Sequence, residues 1–264
     1  MFTVHYALQT CDTASNQNIG RYCSNDRSEI TRKCVTSFLE SVTKAAENKN
    51  SLHVVCIFDD HSSDSTVEFL KKAVAYYSTD NVDVKLVCLE NRGIMNSIRT
   101  CYRWMSDNGK DLVYQVQDDY LFESMAITEM INVFNQLYLD TGSHSIVIPY
   151  NDPHPWTGSY LYRPTPRTVI VGSHRYWIQC YDTACTFMTS IEQFDQHWDL
   201  YETFLNFSPT YKNLEAESLN HILVKRGVLG VMPVTSVALH MQGELEKDPY
   251  IDWQSWWNSV KELP

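Results

Sequence analysis

A chain of 264 residues is long enough for one large or two small domains, and 44% hydrophobic with 20% charged residues is the composition of a folded globular protein. A formal net charge of -11 argues against non-specific nucleic-acid binding, which depends on basic surface, although a local site with a divalent cation still takes phosphate on an acidic protein. No apolar run is long enough to span a bilayer and no basic-plus-apolar leader is present, so a cytoplasmic protein without a transmembrane segment is expected.

Phe2 to Leu8 reads as a strand. Ser28 opens an amphipathic helix to about Ala46, with Ile30, Cys34, Phe38 and Val42 on one face. Leu52 to Phe58 is a strand, and Asp64 or Ser65 caps a helix carrying Val67, Leu70, Val74 and Tyr77. Val82 to Leu89, Leu112 to Val116 and Ser145 to Ile148 are further strands; Gly93 to Met105 and Ser124 to Leu139 are helices between them. This alternation predicts an α/β fold with a doubly wound, mainly parallel sheet. Asn151 to Thr168, rich in Pro, Gly and aromatics, reads as a long loop. Tyr181 to Met188 is the next expected strand, Ile191 to Tyr201 a short helix or turn, and Leu214 to Arg226 a helix stopped by Gly227. Val228 to Met232 and Ser236 to His240 are short strands, and the tail from Tyr250 to Val260, with three Trp residues, is expected to pack back on the body. No linker or repeat interrupts the chain, so one domain is expected over residues 1–264.

The eight cysteines form no C-x-x-C pair, which disfavours zinc, and all are expected to be reduced thiols. Two apolar strands run straight into paired acids, Asp59-Asp60 and Asp118-Asp119. Each pair taken alone is a solvated turn or a charged site at a strand end. In an open α/β sheet that edge is where ligands bind, and adjacent carboxylates are costly without a counter-charge. Mg2+ or Mn2+ takes one or two such carboxylates together with substrate phosphates. Asn91-Arg92-Gly93 opens a helix whose N-terminus favours anions. His240 ends the last strand, where it is either a hydrogen-bonded structural residue or a metal ligand. Glu215 and Glu217 begin the helix that Gly227 stops; they complement its dipole or supply a general base. Trp156, Tyr160, Tyr162, Tyr176 and Trp177 line a sugar surface or pack as core. Neither a P-loop nor a G-x-G-x-x-G or G-x-S-x-G motif is present.

In combination these segments resemble the family 2 glycosyltransferases. Asp59-Asp60-His61-Ser62-Ser63-Asp64-Ser65-Thr66 is similar to that family's DDGSxDxT, with His61 for Gly; Glu90-Asn91-Arg92-Gly93 followed by Asn96 is similar to its N-x-G-x-x-x-A-x-N. Gln117-Asp118-Asp119 resembles its DxD-type motif, and Glu215-Ala216-Glu217-Ser218-Leu219 its ED-x-x-L. His240 falls where many members carry a metal-binding His. The usual P-T-Y-N after the first strand is replaced by Gln9-Thr10-Cys11-Asp12 and a longer loop, and no Q-x-x-R-W is present, which disfavours a processive synthase.

The resemblance implies a GT-A, Rossmann-like sheet flanked by helices, with a nucleotide-sugar-binding half at 1–120 and a smaller acceptor-side half at 121–264. It implies an inverting, metal-dependent transfer of a sugar from a nucleotide-sugar donor to a carbohydrate or other hydroxyl acceptor. Thr10, Asp60, Asn91, Arg92, Gly93, Asn96 and Asp118 would bind the nucleotide; Asp119 and His240 would hold Mn2+ or Mg2+; Glu217 or Glu215 would be the base. Two rivals share the fold class. One is a nucleotidyltransferase acting on sugar phosphates, which would carry a basic Gly-rich loop directly after the first strand, whereas here no Lys or Arg occurs there before Arg21. The other is a non-catalytic nucleotide- or sugar-binding module of the same fold.

Overall fold

A computed structural model describes residues 2–13, 21–151, 168–180, 186–206, 223, 225–241, 248, 250–261 and 263. Strands β1 (Phe2–Thr10), β2 (Ser51–Asp59), β3 (Val82–Cys88) and β4 (Leu112–Gln117) alternate with helices α1 (Arg27–Ala46), α2 (Asp64–Tyr77) and α3 (Ile94–Asn108). A short strand β5 (Tyr120–Phe122), helix α4 (Ala126–Thr141) and strand β6 (Ser145–Val147) follow. The rest comprises β7 (Val169–Val171), β8 (Tyr176–Cys180), β9 (Phe187–Ser190), α5 (Ile191–Gln196), α6 (Trp198–Asn206), β10 (Leu229–Pro233), β11 (Ala238–His240) and α7 (Trp253–Ser259).

Nine strands form one sheet in the order β3-β2-β1-β4-β9-β6-β10-β8-β7. β9 and β8 run against their neighbours and the other strands share one direction, so the sheet is mainly parallel as expected. The period-two alternation of β1 divides the core: Val4, Tyr6 and Leu8 pack with α1, α2 and α4, while Ala7 faces α3, α5 and α6. β3 closes one edge with Lys85, Val87 and Cys88 outside, a charged and half-exposed strand of the kind that blunts edge pairing. The chain leaves β1 toward β2 and β3 on one side and returns to β4 on the other. The β1/β4 boundary is therefore the point where the winding reverses.

Several boundaries differ from those expected, each for a local reason. Asp26, two residues earlier than Ser28, caps α1 by accepting from the Ser28 N–H at 2.9 Å. Ser63, not Asp64 or Ser65, is the N-cap of α2; its hydroxyl donates to Asp12 and accepts no backbone N–H of its own helix. α4 begins at Ala126 because Tyr120–Phe122 pairs with β11. The β7–β8 hairpin was not foreseen: Val169 and Val171 point outward, so β7 lacks the buried periodicity of a core strand. The strand expected over Tyr181 to Met188 is confined, among the described residues, to β9, which runs on to Ser190. Of the expected Leu214 to Arg226 helix, Leu223 and Lys225 are described and helical, and Gly227 has the left-handed φ of +83° expected of its stop. The Trp tail does fold back: Trp253 and Trp257 bury against Ile30, Cys34, Leu239 and Met241.

Cys11, Cys34, Cys56, Cys88 and Cys101 are free thiols, and Cys185 lies outside the described residues. Among the described residues no helix is long and apolar enough to cross a membrane.

Candidate active site

The winding reverses between β1 and β4, and in such sheets the carboxyl ends of the strands at that point are the usual ligand position. β1 ends there in Thr10, β4 continues into Asp118 and Asp119, and the neighbouring β2 delivers Asp59 and Asp60. All four acids are buried, so each must find donors.

Asp118 spends both oxygens on the protein. Oδ2 accepts the Cys11 N–H at 2.8 Å and the Thr31 hydroxyl at 2.9 Å; Oδ1 meets Arg27 Nη2 at 2.5 Å. Burial, which Arg27 only partly offsets, pushes this carboxyl above its ordinary range. Asp119 is arranged differently. Oδ2 receives Arg21 Nη1 at 3.0 Å, with Arg27 Nη1 and His240 Nε2 each 3.5 Å away. Among the described residues, Oδ1 is buried without a hydrogen-bond partner. Burial works against its charge, but His240, Arg27 and Arg21 outweigh it and hold Asp119 well below the usual carboxylate range. The two guanidiniums thus balance the two acids.

His240 reaches this point through the β5–β11 ladder, in which it pairs with Tyr120, stacks on the Tyr120 ring at 4.6 Å and is followed by a Met241 N–H bonded to the Asp119 carbonyl at 2.9 Å. Behind it Leu239 and Met241 pack on the Trp tail, which fixes the strand. Among the described residues no three His, Cys, Asp or Glu side chains converge around a metal position. The vacant Asp119 Oδ1 and the His240 imidazole are nevertheless a donor pair suited to a divalent cation that takes its remaining ligands from substrate phosphate and water.

The other motif segments are tied to the same edge. Asp59 accepts from the Thr10 hydroxyl at 3.0 Å and the Ser62 N–H at 3.1 Å. Asp60 accepts the Gly93 N–H at 2.9 Å and lies 3.0 Å from His61 Nδ1. His61 has φ +61°, so it keeps the left-handed turn that a Gly would adopt without cost. Arg92 donates to the Thr13 hydroxyl at 2.7 Å and carbonyl at 3.2 Å, and Asn96 donates to the Asn91 carbonyl at 2.7 Å. Asn91 and Arg92 are exposed at the rim.

Asp12 is a residue the sequence did not single out as functional. It accepts from the hydroxyls of Ser28, Ser63 and Thr66, each at 2.6 Å, and from the Ser63 N–H at 2.7 Å, joining the starts of α1 and α2. Burial pushes its carboxyl up, but these donors prevail and hold it below the ordinary range. Arg21, Arg27 and Thr31 were also missed; their one signal was the need of adjacent buried acids for counter-charge. Trp177 is core, which removes it from the candidate sugar surface, whereas Tyr176 is exposed. Glu215, Glu217, Trp156, Tyr160 and Tyr162 lie outside the described residues.

A family model described as Glycosyl transferase family 2 matches residues 24–198. The match includes Asp59 to Thr66, Asn91 to Asn96 and Asp118-Asp119, and stops short of Glu215, Glu217 and His240. No curated protein matches the chain. Among solved structures the chain is similar to S. aureus TarS, at 15% identity and a TM-score of 0.37 over 56% of this chain; it spans only 21% of TarS. It is similar also to UDP-glucose pyrophosphorylase complexed with UDP-glucose, at 10% identity and a TM-score of 0.49 over 98% of both chains. A third is the 4-diphosphocytidyl-2C-methyl-D-erythritol synthase of Anaerococcus prevotii, at 12% identity and 0.45 over 92% of this chain and 94% of that one.

Proposed function

Because the chain belongs to glycosyl transferase family 2 and has the mixed α/β sheet of a GT-A fold, we propose that it is an inverting, metal-dependent, non-processive transferase. It moves a sugar from a nucleotide-sugar donor to an acceptor hydroxyl. The observation that carries this reading is the Asp119–His240 pair at the β1/β4 switch point, with Asp119 Oδ1 buried and, among the described residues, without a hydrogen-bond partner.

Asp119 and His240 would hold the divalent cation, whose chemistry is to neutralise charge on the departing diphosphate. Asp118 is the anchor that fixes the loop after β1 through Cys11, Thr31 and Arg27. Asp60 fixes the start of α3, where Gly93 and Asn96 border the nucleotide region and Arg92 and Asn91 form its rim. Thr10 holds Asp59 and with it the turn into α2. Glu217, or failing it Glu215, takes the acceptor proton as the hydroxyl attacks the anomeric carbon from the face opposite the leaving group. Residues 1–120 would form the donor-binding half and 121–264 the acceptor-binding half.

A nucleotidyltransferase acting on sugar phosphates is the second reading, and Arg21 and Arg27 favour it: both come from the segment after β1 and reach the acids. The two readings separate by product. Incubation with a panel of UDP-, GDP-, dTDP- and CDP-sugars and Mn2+ is expected to release nucleoside diphosphate slowly to water and faster with an acceptor sugar. Release of pyrophosphate from a nucleoside triphosphate and a sugar 1-phosphate, with no nucleoside diphosphate formed, would overturn the transferase.

A further inference from the structure

Arg21 and Arg27 both touch Asp119, yet they are held very differently. Arg27 opens α1 behind the Asp26 cap and is fastened by Asp118 at 2.5 Å and by the Cys11 carbonyl at 3.4 Å. Burial opposes its charge, but Asp118 and Asp119 together more than offset that. Arg21 lies outside any helix. Its backbone is placed by the next residue, Tyr22, whose N–H bonds the Met241 carbonyl at 2.8 Å. Among the described residues its guanidinium has one partner, Asp119 Oδ2 at 3.0 Å, and its side chain is 11% exposed.

That single bond falls on the carboxylate that the reading above assigns to the divalent cation. A guanidinium and a divalent ion on one carboxylate repel each other at a range where little water intervenes. Asp118 and Asp119 are already balanced by the two arginines, so a cation arriving alone at Asp119 would leave this cluster with excess positive charge. A cation arriving with a diphosphate restores the balance, because the two bring opposite charge. The arginine with one bond to lose is the one free to follow the anion, and guanidinium pairs with phosphate oxygens as readily as with carboxylate.

Resting on that reading of the site, we propose that Arg21 is a diphosphate ligand which guards Asp119 in the free protein. When donor and cation enter, it exchanges Asp119 for the diphosphate, while Arg27 keeps its place on Asp118. Arg21 therefore opposes binding of the metal alone and favours binding of the anion.

The test uses two probes on the full chain: Mn2+ alone, followed by electron paramagnetic resonance, and inorganic pyrophosphate alone, followed by calorimetry. Arg21→Ala is expected to bind Mn2+ about tenfold more tightly and pyrophosphate about tenfold more weakly, the scale of one charge-assisted hydrogen bond. Opposite signs are the signature, since a variant that merely loosened the site would weaken both. Arg21→Lys, which keeps the charge and the fold, is expected to lie between the two. Weaker or unchanged Mn2+ binding in both variants, or unchanged pyrophosphate binding, overturns the role of Arg21 while the metal site stands. An unsubstituted protein that binds neither probe overturns the site and the proposal together.

Discussion

The carboxylate of Asp60 accepts the backbone N–H of Gly93 at 2.9 Å, joining the end of the β2 segment to the start of α3. Two motifs 33 residues apart in sequence thus act as one unit. Gly93 holds φ +130°, which side-chain-bearing residues rarely adopt, and a Cβ there would meet no atom within 4 Å. The cost of Gly93→Ala is therefore backbone strain alone, of about 1–3 kcal/mol. The expected result is a lower urea midpoint together with weaker nucleotide binding, as the N–H is drawn off Asp60. Unchanged values of both would show that the bond positions nothing.

Asp118 and Asp119 are adjacent, yet the structure separates their roles. Asp118→Ala strands Arg27, the Cys11 N–H and the Thr31 hydroxyl in a buried place, and a loss of about 3–5 kcal/mol is expected on breaking such a pair. Asp119→Asn is nearly isosteric; it removes the charge shared by Oδ2, which Arg21 holds, and by Oδ1, which has no hydrogen-bond partner among the described residues. It is expected to fold and to bind nucleotide with the same affinity in the presence and absence of Mn2+. Retained metal dependence in Asp119→Asn would return this acid to a structural role.

The acids of this site were legible because a β-branched run that ends in charge is a local pattern; no knowledge of neighbours is needed to read Val54 to Asp60 or Leu112 to Asp119. The doubly wound order was legible for the same reason. What balances those acids was not, since Arg21 and Arg27 lie about ninety or more residues from them in sequence and an arginine in a loop carries no periodic signal. Asp12 was invisible too. Its partners Ser28, Ser63 and Thr66 come from the starts of two helices, and only the parallel pairing of β1 with β2 brings those together. β5 and β7, three residues each, are shorter than any window in which alternation can be recognised.

His53 supplies a pH dependence of stability. It is buried in β2 between Tyr6 Oη at 2.8 Å and Ser51 Oγ at 3.0 Å, and burial lowers its pKa from 6.5 to about 4. The folded state keeps this imidazole neutral while the unfolded chain protonates it. Between about pH 4 and 6.5 the unfolded state therefore binds more protons, and stability falls as pH drops through that window. The whole shift corresponds to about 3 kcal/mol. Urea unfolding from pH 7.5 down to 4.5 is expected to show the decline, and His53→Gln to reduce its slope; His5 and His197, also lowered by burial, leave a remainder. An identical slope in the variant would assign the dependence elsewhere.

The base is the last expectation, and it rests on sequence. A sugar hydroxyl is a poor nucleophile unless its proton leaves as the new bond forms, and a positioned carboxylate gives about 10²–10⁴-fold in rate. The Glu215-Ala216-Glu217 segment carries the two acids in question. Residues two apart on a helix do not share a face, so if the expected helix forms, one of the pair faces the anomeric carbon and the other faces away. Glu217→Gln is expected to lose transfer by that factor while donor binding, measured by calorimetry with the nucleotide sugar and Mn2+, is kept. Glu215→Gln is expected to lose far less, because dipole complementarity at a helix start is worth about 0.3–1 kcal/mol in stability and nothing in proton transfer. The opposite ranking would move the base to Glu215. Two variants of near-normal rate would remove the base from this segment, and the proton would then have to leave through another group at the crevice.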